Sequence, residues 1–131
     1  MKPVKIQPTR VTPAILIDPS KGIFKMFGRS SPENALQFYE PIIKSLGEIP
    51  TDKIDIRIKM EYFNTSSSKC IYDIMKEIKR LQEKGKSIVV RWYYDQDDED
   101  MLEAGEDYSD MLDLDFRFIE YHPDKGYQRS A

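Results

Sequence analysis

The chain has few of the residues on which small enzymes and secreted proteins depend. It contains one cysteine, Cys70, and one histidine, His122, among 131 residues. A single cysteine cannot form an internal disulfide bond. Cys70 lies in an apolar run and His122 in a polar stretch near the C-terminus, so the two do not indicate a nucleophile–base pair. We therefore expect no catalytic residues and no enzymatic activity.

The sequence also lacks the segments that direct a chain to a membrane. No charged-then-apolar leader opens it, and no apolar run approaches the roughly 20 residues that span a bilayer. Its composition, 40% hydrophobic and 33% charged, is typical of a soluble globular protein. We expect one cytoplasmic domain over residues 1–131, with a frayed polar tail from about 122 to 131.

Basic residues are absent from one segment. Nine acidic residues and no lysine or arginine lie between Asp95 and Asp110, here called the acidic segment, while the whole chain has a formal net charge of −3. The remainder of the chain is therefore net positive. A nucleic-acid-binding domain would need a clustered basic face, so we expect no nucleic-acid partner. The acidic segment instead favours contact with a protein.

Strand-like runs occur at five places. Residues 14–18 and 23–28 flank turn residues and predict an antiparallel hairpin. Residues 54–62 alternate between apolar and charged side chains, which predicts a strand with one charged face. The runs at 87–94 and 115–121 are rich in β-branched and aromatic residues, and we expect the first of them to be central.

Three helices are predicted between these strands. The first begins with Ser31 as N-cap, followed by Pro32 and Glu33, and Pro41 predicts a kink or break near Tyr39 to Glu40. Its predicted apolar positions are Leu36, Tyr39, Ile43 and Leu46. The second helix carries Ile71, Ile74, Met75, Ile78 and Leu81 on one stripe. The third, at about 99–112, is weakened in its middle by Gly105.

The order of these elements defines the fold class. Residues 1–12 show no clear period and are expected to form an extended lead-in. The remaining elements follow in the order ββαβαβαβ. This pattern predicts an α/β fold with a mixed β-sheet and helices mainly on one face.

The hydroxyl-rich run Thr65-Ser66-Ser67-Ser68-Lys69 lies where the alternating strand ends and the second helix begins. Helix N-termini carry unpaired N–H groups and a partial positive charge, so a phosphoryl group added there is stabilised. Serine and threonine are also common helix N-caps, and on spacing alone plain capping is the stronger interpretation. A phosphate-binding loop is poorly supported because the run has no glycine.

The acidic segment admits a metal interpretation. Asp95, Asp97, Glu99, Glu103 and Glu106 fall on the ligand positions of a calcium loop. The position that needs glycine for its sharp turn is Asp100 instead. A helix rich in acids at its start fits the apolar spacing better, so we expect no metal and no cofactor.

Four stretches, in order along most of the chain, resemble the SiaC family of regulatory phosphoproteins. They are Thr12-Pro13 leading to Asp18, Gly28 to Asn34 running into Phe38-Tyr39-Glu40-Pro41-Ile42, Tyr62-Phe63-Asn64-Thr65-Ser66-Ser67-Ser68-Lys69, and Trp92-Tyr93-Tyr94-Asp95 continuing to Glu106. The resemblance implies a STAS-like fold, similar to anti-sigma-factor antagonists, and a partner-switching role. It further implies that a kinase phosphorylates Thr65, that a PP2C-type phosphatase reverses this, and that the unphosphorylated form binds and regulates an effector such as a diguanylate cyclase.

These expectations suggest a composite partner surface. If the strands ending at Phe63 and Tyr94 are parallel neighbours, the segments that follow them emerge at the same sheet edge. The candidate partner-binding residues are Asn64, Ser66, Ser67, Ser68, Lys69, Asp95, Asp97, Asp98 and Asp100. Two alternatives remain: a small-ligand or anion-binding domain that uses the same helix N-terminus, and a constitutive interaction module that binds through the acidic segment.

Overall fold

The computed structural model describes residues 1–122, which form a six-stranded sheet and three helices. The elements are β1 (Val4–Ile6), β2 (Ala14–Asp18), β3 (Ile23–Ser30), α1 (Ala35–Gly47), β4 (Lys53–Phe63), α2 (Thr65–Glu83), β5 (Ser87–Asp95), α3 (Glu99–Leu112) and β6 (Phe116–Tyr121). The predicted tail lies outside the described residues from position 123 onward. Among residues 1–122, no helix is long and apolar enough to cross a membrane.

The predicted order was wrong in one respect, because a strand precedes the hairpin. Strand β1 pairs antiparallel with β2, with Val4 opposite Ile17 and Ile6 opposite Ile15. Three residues at a sheet edge are held by backbone hydrogen bonds and give no periodicity that a sequence could reveal. The element order is therefore βββαβαβαβ.

The strands lie side by side in the order in which they occur along the chain. The pairs β1–β2 and β2–β3 are antiparallel, whereas β3, β4, β5 and β6 are parallel. Parallel connections are right-handed, so three successive crossovers in one direction place all three helices on the same face of the sheet. We call this the covered face and the opposite one the open face. The mixed sheet with helices on one face is as predicted.

The core lies between the covered face and the helices. Strand residues of alternate parity point into it, among them Ile15, Ile17, Phe24, Met26, Ile54, Ile56, Ile58, Val90 and Trp92. The predicted stripe of α2, Ile71 to Leu81, is buried against them. This burial, rather than local helix propensity, provides most of the stability of an amphipathic helix.

Helix α1 begins later than predicted. Its N-cap is Asn34, whose side chain accepts a hydrogen bond from the Gln37 amide at 3.0 Å. Ser31 instead donates its amide to the Val11 carbonyl at 2.8 Å. This bond ties residue 31 to the lead-in, so the chain turns into the helix only after that point.

The later start shifts the buried side of α1. Ala35, Tyr39, Ile42 and Leu46 are its buried residues. Leu36, predicted on the apolar side, is 60% exposed. The helix also runs through Pro41 without the predicted break. Since Tyr39 and Ile42 are buried on either side of the proline, tertiary packing offsets the hydrogen bond that proline removes.

The third helix confirms its prediction and explains its glycine. Gly105 is buried against Trp92, and a Cβ at this position would lie 2.6 Å from atoms of the indole ring. The indole Nε1 donates to the Met101 carbonyl at 2.9 Å. Gly105 therefore allows α3 to approach β5 closely. Strand β5 is an interior strand, between β4 and β6.

Candidate functional site

The hydroxyl-rich run begins helix α2 directly after strand β4. Asn64 is the N-cap: its backbone is extended, and its side chain accepts a hydrogen bond from the Ser67 amide at 2.8 Å. The Asn64 amide in turn donates to the Ser30 carbonyl at 3.0 Å, which fastens the corner to the end of β3. The capping interpretation of Thr65 is thus wrong, because asparagine does the capping and Thr65 is the first helical residue.

The four hydroxyl residues differ in exposure. Thr65 and Ser66 are exposed, Ser68 is half-buried, and Ser67 is fully buried. A kinase must bring its active site to the hydroxyl that it modifies. In the folded domain, Thr65 and Ser66 are accessible to a kinase and Ser67 is not.

Ser67 belongs to a buried chain of hydroxyl groups. The Ser30 hydroxyl donates to the Ser67 oxygen at 2.7 Å and lies 2.6 Å from the Tyr39 hydroxyl. Since Ser30 has a single proton, Tyr39 must be the donor in the second bond. Burial raises the pKa of Tyr39 to about 12, so Tyr39 keeps this proton at neutral pH. These three hydrogen-bonded hydroxyl groups attach the corner to both β3 and α1.

Ser68 connects the corner to α3. The Tyr108 hydroxyl donates to the Ser68 carbonyl at 3.0 Å and lies 3.2 Å from the Ser68 hydroxyl. Burial also raises the pKa of Tyr108. Ser67 and Ser68, predicted as partner contacts, therefore mainly support the corner from within.

The electrostatics at Thr65 favour an added anion. Thr65 begins a helix of 19 residues whose first turn contains no acidic side chain. The helix dipole places partial positive charge at this end. Lys69 is exposed and lies four residues further on, which places it on the same side of the helix as Thr65.

The acidic segment starts at the same edge of the sheet. Strands β4 and β5 are parallel neighbours, so Asn64 and Gln96 both follow strand ends at that edge. Two of the predicted contact residues shape the turn: Asp95 accepts from the Asp97 amide at 3.0 Å, and Asp98 caps α3 by accepting from Met101 at 3.0 Å. Asp97 and Asp100 are exposed.

Tyr121 links the end of β4 with the acidic segment. Burial, together with the nearby negative charges of Asp95, Glu61 and Asp98, raises the pKa of Tyr121. The Lys59 ammonium lies 4.4 Å from the centre of the same ring. The ends of β4, β5 and β6 thus form one continuous surface.

The structure gives the acidic segment no calcium-loop shape. Helix α3 begins at Glu99 and includes Glu103 and Glu106, so these side chains cannot wrap around an ion as a loop does. Within residues 1–122, no group of three or more His, Cys, Asp and Glu side chains is arranged to hold a metal ion. Cys70 is 5% exposed, and burial raises the pKa of its thiol, which disfavours the reactive thiolate.

A groove between α2 and α3 was not predicted. It has a volume of about 480 Å³ and is lined by Ser68, Lys69, Tyr72, Asp73, Tyr108 and Met111. Its lining is mostly apolar, and Met111 is 60% exposed. The groove is open, and one of its donors, the Tyr108 hydroxyl, is already hydrogen-bonded to the Ser68 carbonyl. In the sequence, Met111 fits the apolar period of α3 and therefore resembled a core residue.

Comparison with known protein families identifies the family of this chain. The family model described as SiaC family regulatory phosphoprotein matches residues 6–121. The chain belongs to the SiaC family. This confirms the resemblance inferred from the four sequence stretches.

Solved SiaC structures share the fold. The crystal structure of apo-SiaC from Pseudomonas aeruginosa superposes with a TM-score of 0.79 at 28% identity, covering 92% of this chain and 98% of that one. SiaC in the crystal structure of the diguanylate cyclase SiaD with its activator SiaC, from the same organism, gives 0.82 at 26% identity, covering 90% and 99%. An uncharacterized protein of P. aeruginosa is 30% identical over 119 residues, 88% of this chain and 94% of that protein. The SiaC fold is thus shared over nearly the whole described chain.

Proposed function

We propose that this chain is a cytoplasmic partner-switching protein controlled by phosphorylation of Thr65. A partner kinase adds the phosphoryl group, a PP2C-type phosphatase removes it, and the unphosphorylated form binds and regulates an effector such as a diguanylate cyclase. One observation carries the proposal: in a member of a regulatory phosphoprotein family, an exposed hydroxyl begins a long helix, where the helix dipole stabilises an anion.

The geometry of the corner supports Thr65 over Ser67 and Ser68. Ser67 is completely buried, and Ser68 is hydrogen-bonded to Tyr108. Ser66 is exposed like Thr65, and the threonine is preferred because the family resemblance assigns the modification to this position. Mass spectrometry of the protein purified from its native cells should find phosphate on Thr65. Phosphate confined to Ser66 or Ser68 would contradict the assignment.

The phosphoryl group is expected to act on the partner and leave the fold intact. It adds roughly −1.5 to −2 charges at neutral pH. The helix N-terminus and Lys69 stabilise this charge locally, so the corner keeps its shape. A partner that contacts Asn64, Ser66 and Lys69 together with the exposed Asp97 and Asp100 would meet added bulk and repulsion. The proposed surface therefore changes from binding to non-binding without a conformational change.

The effector assignment rests on a structural relative. SiaC from P. aeruginosa was crystallised with the diguanylate cyclase SiaD as its activator. A chain with the same fold over 90% of its length is suited to the same kind of partner. We infer that the effector of this chain is a cyclase or a protein that presents a similar docking segment.

An affinity experiment with three variants tests the proposal. Tagged Thr65→Ala, Thr65→Glu and Ser66→Glu proteins are used to capture the effector from native cells, and its affinity for each is then measured. Thr65→Ala should bind like the unphosphorylated wild type, and Thr65→Glu at least about tenfold more weakly, since like charges at an interface are repelled. Ser66→Glu is the matched control for charge one residue away.

The outcomes separate the alternatives. Equal binding by Thr65→Ala and Thr65→Glu would refute partner switching and favour a constitutive interaction module. A rise in melting temperature with inorganic phosphate that Thr65→Ala abolishes, without any change in effector binding, would favour the anion-binding alternative.

A further inference from the structure

The open face of the sheet carries an ordered row of basic side chains. Strand register aligns Lys5, Leu16, Lys25, Arg57, Arg91 and Arg117 directly across all six strands. We call this line the basic row. Its members lie far apart in the sequence, so the clustering is visible only once the register is known.

Two flanking rows add mostly apolar side chains to the open face, with one lysine and two aspartates. One contains Ala14, Phe27, Lys59, Tyr93 and Ile119, and the other Asp18, Ile23, Asp55 and Val89. Across the three rows, six side chains are basic and two are acidic. Phe27 is 41% exposed. The face therefore combines cationic groups with accessible apolar ones, and none of the three described helices packs on it.

The two acidic groups in these three rows do not balance the six basic ones. Asp18 accepts hydrogen bonds from its own turn, from Ser20 and Lys21. Asp55 pairs with both Arg57, at 3.0 Å, and Arg91. Lys25 and Arg117 have no acidic partner within salt-bridge distance among residues 1–122.

The basic row lowers the stability of the fold. Like charges directly opposite each other on neighbouring strands are destabilising, and the row contains three such pairs, Lys25–Arg57, Arg57–Arg91 and Arg91–Arg117. In addition, the Arg57 Nε is buried without a hydrogen-bond acceptor. Asp55 offsets the Arg57–Arg91 pair, and an acidic ligand bound on the open face would relieve the unfavourable contacts that remain.

We propose that the open face binds an acidic amphipathic helix of a partner protein. Strands lie about 4.8 Å apart, so the row extends about 24 Å from β1 to β6. A helix advances 5.4 Å per turn and 1.5 Å per residue, so a helix of about 16 residues covers the row and presents roughly one carboxylate per strand. Phe27 and Ile119 in the flanking row accept its apolar side chains.

The charge distribution favours a short protein segment over a longer polyanion. Glu61, Asp95 and Asp98 lie near Tyr121, where β4, β5 and β6 end, and place negative charge at this edge of the open face. A nucleic acid or an anionic membrane would extend past the open face towards these acids and be repelled, whereas a 16-residue helix fits within it. Thr65 starts a helix on the covered face, so this second surface is available in either phosphorylation state.

The test uses a defined probe. A fluorescein-labelled 18-residue peptide carries glutamates at helical spacing on one side and leucines beside them, and its anisotropy is titrated with protein in about 150 mM salt. Comparison probes are the peptide with glutamine for glutamate, a 20-nucleotide single-stranded RNA, and phosphatidylcholine vesicles containing phosphatidylglycerol. The variant is Lys25→Glu with Arg117→Glu, since neither residue forms an ion pair with another residue of the range 1–122. The control is Lys44→Glu with Lys84→Glu, exposed positions on the helical layer with the same charge change.

We expect saturable binding of the acidic peptide, about tenfold weaker for the Lys25/Arg117 variant and within about twofold for the control. The glutamine peptide should bind as weakly as the variant does. The proposal is overturned if both variants bind alike, if no binding occurs up to about 1 mM protein, or if the RNA or the vesicles bind more tightly than the peptide. Circular dichroism of each variant verifies that it is folded.

Discussion

A glutamate at Thr65 and a glutamate at Ser67, two residues apart, should have opposite effects on stability. Thr65→Glu places its carboxylate in solvent at the first position of α2. A negative charge there gains about 0.3–1 kcal/mol from the helix dipole, and glutamate has a slightly better helix propensity than threonine. The expected change is an increase of about 0.5–1 kcal/mol in the free energy of unfolding.

Ser67→Glu places the same group where no solvent reaches. Ser67 is 0% exposed, and its hydroxyl is packed against Ser30 and, through it, Tyr39. A larger side chain in a filled core costs about 1–3 kcal/mol, and an uncompensated buried charge about 3–5 kcal/mol. We expect a loss of about 4 kcal/mol or more, because the Ser30 hydroxyl can offer the carboxylate only one hydrogen bond.

Urea denaturation followed by circular dichroism measures both changes. With a slope of about 2 kcal/mol per molar urea, a loss of 4 kcal/mol lowers the midpoint by about 2 M. Ser67→Ala serves as the control for losing the hydrogen bond alone, which should cost about 1–2 kcal/mol. The reasoning fails if Thr65→Glu loses more than about 1 kcal/mol, or if Ser67→Glu unfolds at the wild-type midpoint. Either result would mean that the corner does not separate a modifiable hydroxyl from structural ones.

Three further changes test the packing of the site. Gly105→Ala places a methyl group against the Trp92 ring and should lower the unfolding free energy by about 1–3 kcal/mol and alter the tryptophan fluorescence; a wild-type midpoint would contradict the close contact. Asn64→Ala removes the N-cap of α2 and should cost about 1 kcal/mol in urea unfolding, while Asn64→Asp, which retains the acceptor, should restore it. Because burial raises the pKa of Tyr39 from 10.0 to about 12, the unfolded state ionises first, so stability should fall by about 1.4 kcal/mol per pH unit between pH 10 and 12; Tyr39→Phe should show a smaller fall, and identical pH profiles would contradict the buried phenol.

Most of the element pattern could be predicted from the sequence because burial imposes a period on it. The alternation of residues 54–62 and the stripe of α2 each report one buried face, and both predictions are confirmed. Strand β1 was missed because three edge residues carry no period. The alternation also placed Tyr62 with the core, whereas Tyr62 is 44% exposed. Gly28 pairs with Met60 and Arg29 with Tyr62, so there is a bulge at Glu61. The bulge changes which face of the sheet the last side chains of β4 point to.

The site was predictable in position and much less so in detail. The strand-to-helix corner follows from the pattern, and the choice of Thr65 came from the family resemblance. Which hydroxyls are buried depends on Ser30 and Tyr39, which are 37 and 28 residues from Ser67 along the chain. The basic row depends on the pairing of six strands. Neither the burial of these hydroxyls nor the basic row can be recognised from a short stretch of sequence, because each arises from contacts between distant segments.

Every strand of this sheet pairs only with strands adjacent to it in the chain. The sheet can therefore grow strand by strand as the polypeptide leaves the ribosome, since no strand must wait for a distant partner. The parts that shape the Thr65 corner, β3, α1, β4 and the start of α2, are all synthesised before residue 95. Helix α3 arrives later and brings Tyr108 onto Ser68. On a nascent chain, Thr65 can thus be in place before the acidic side of its surface has been made.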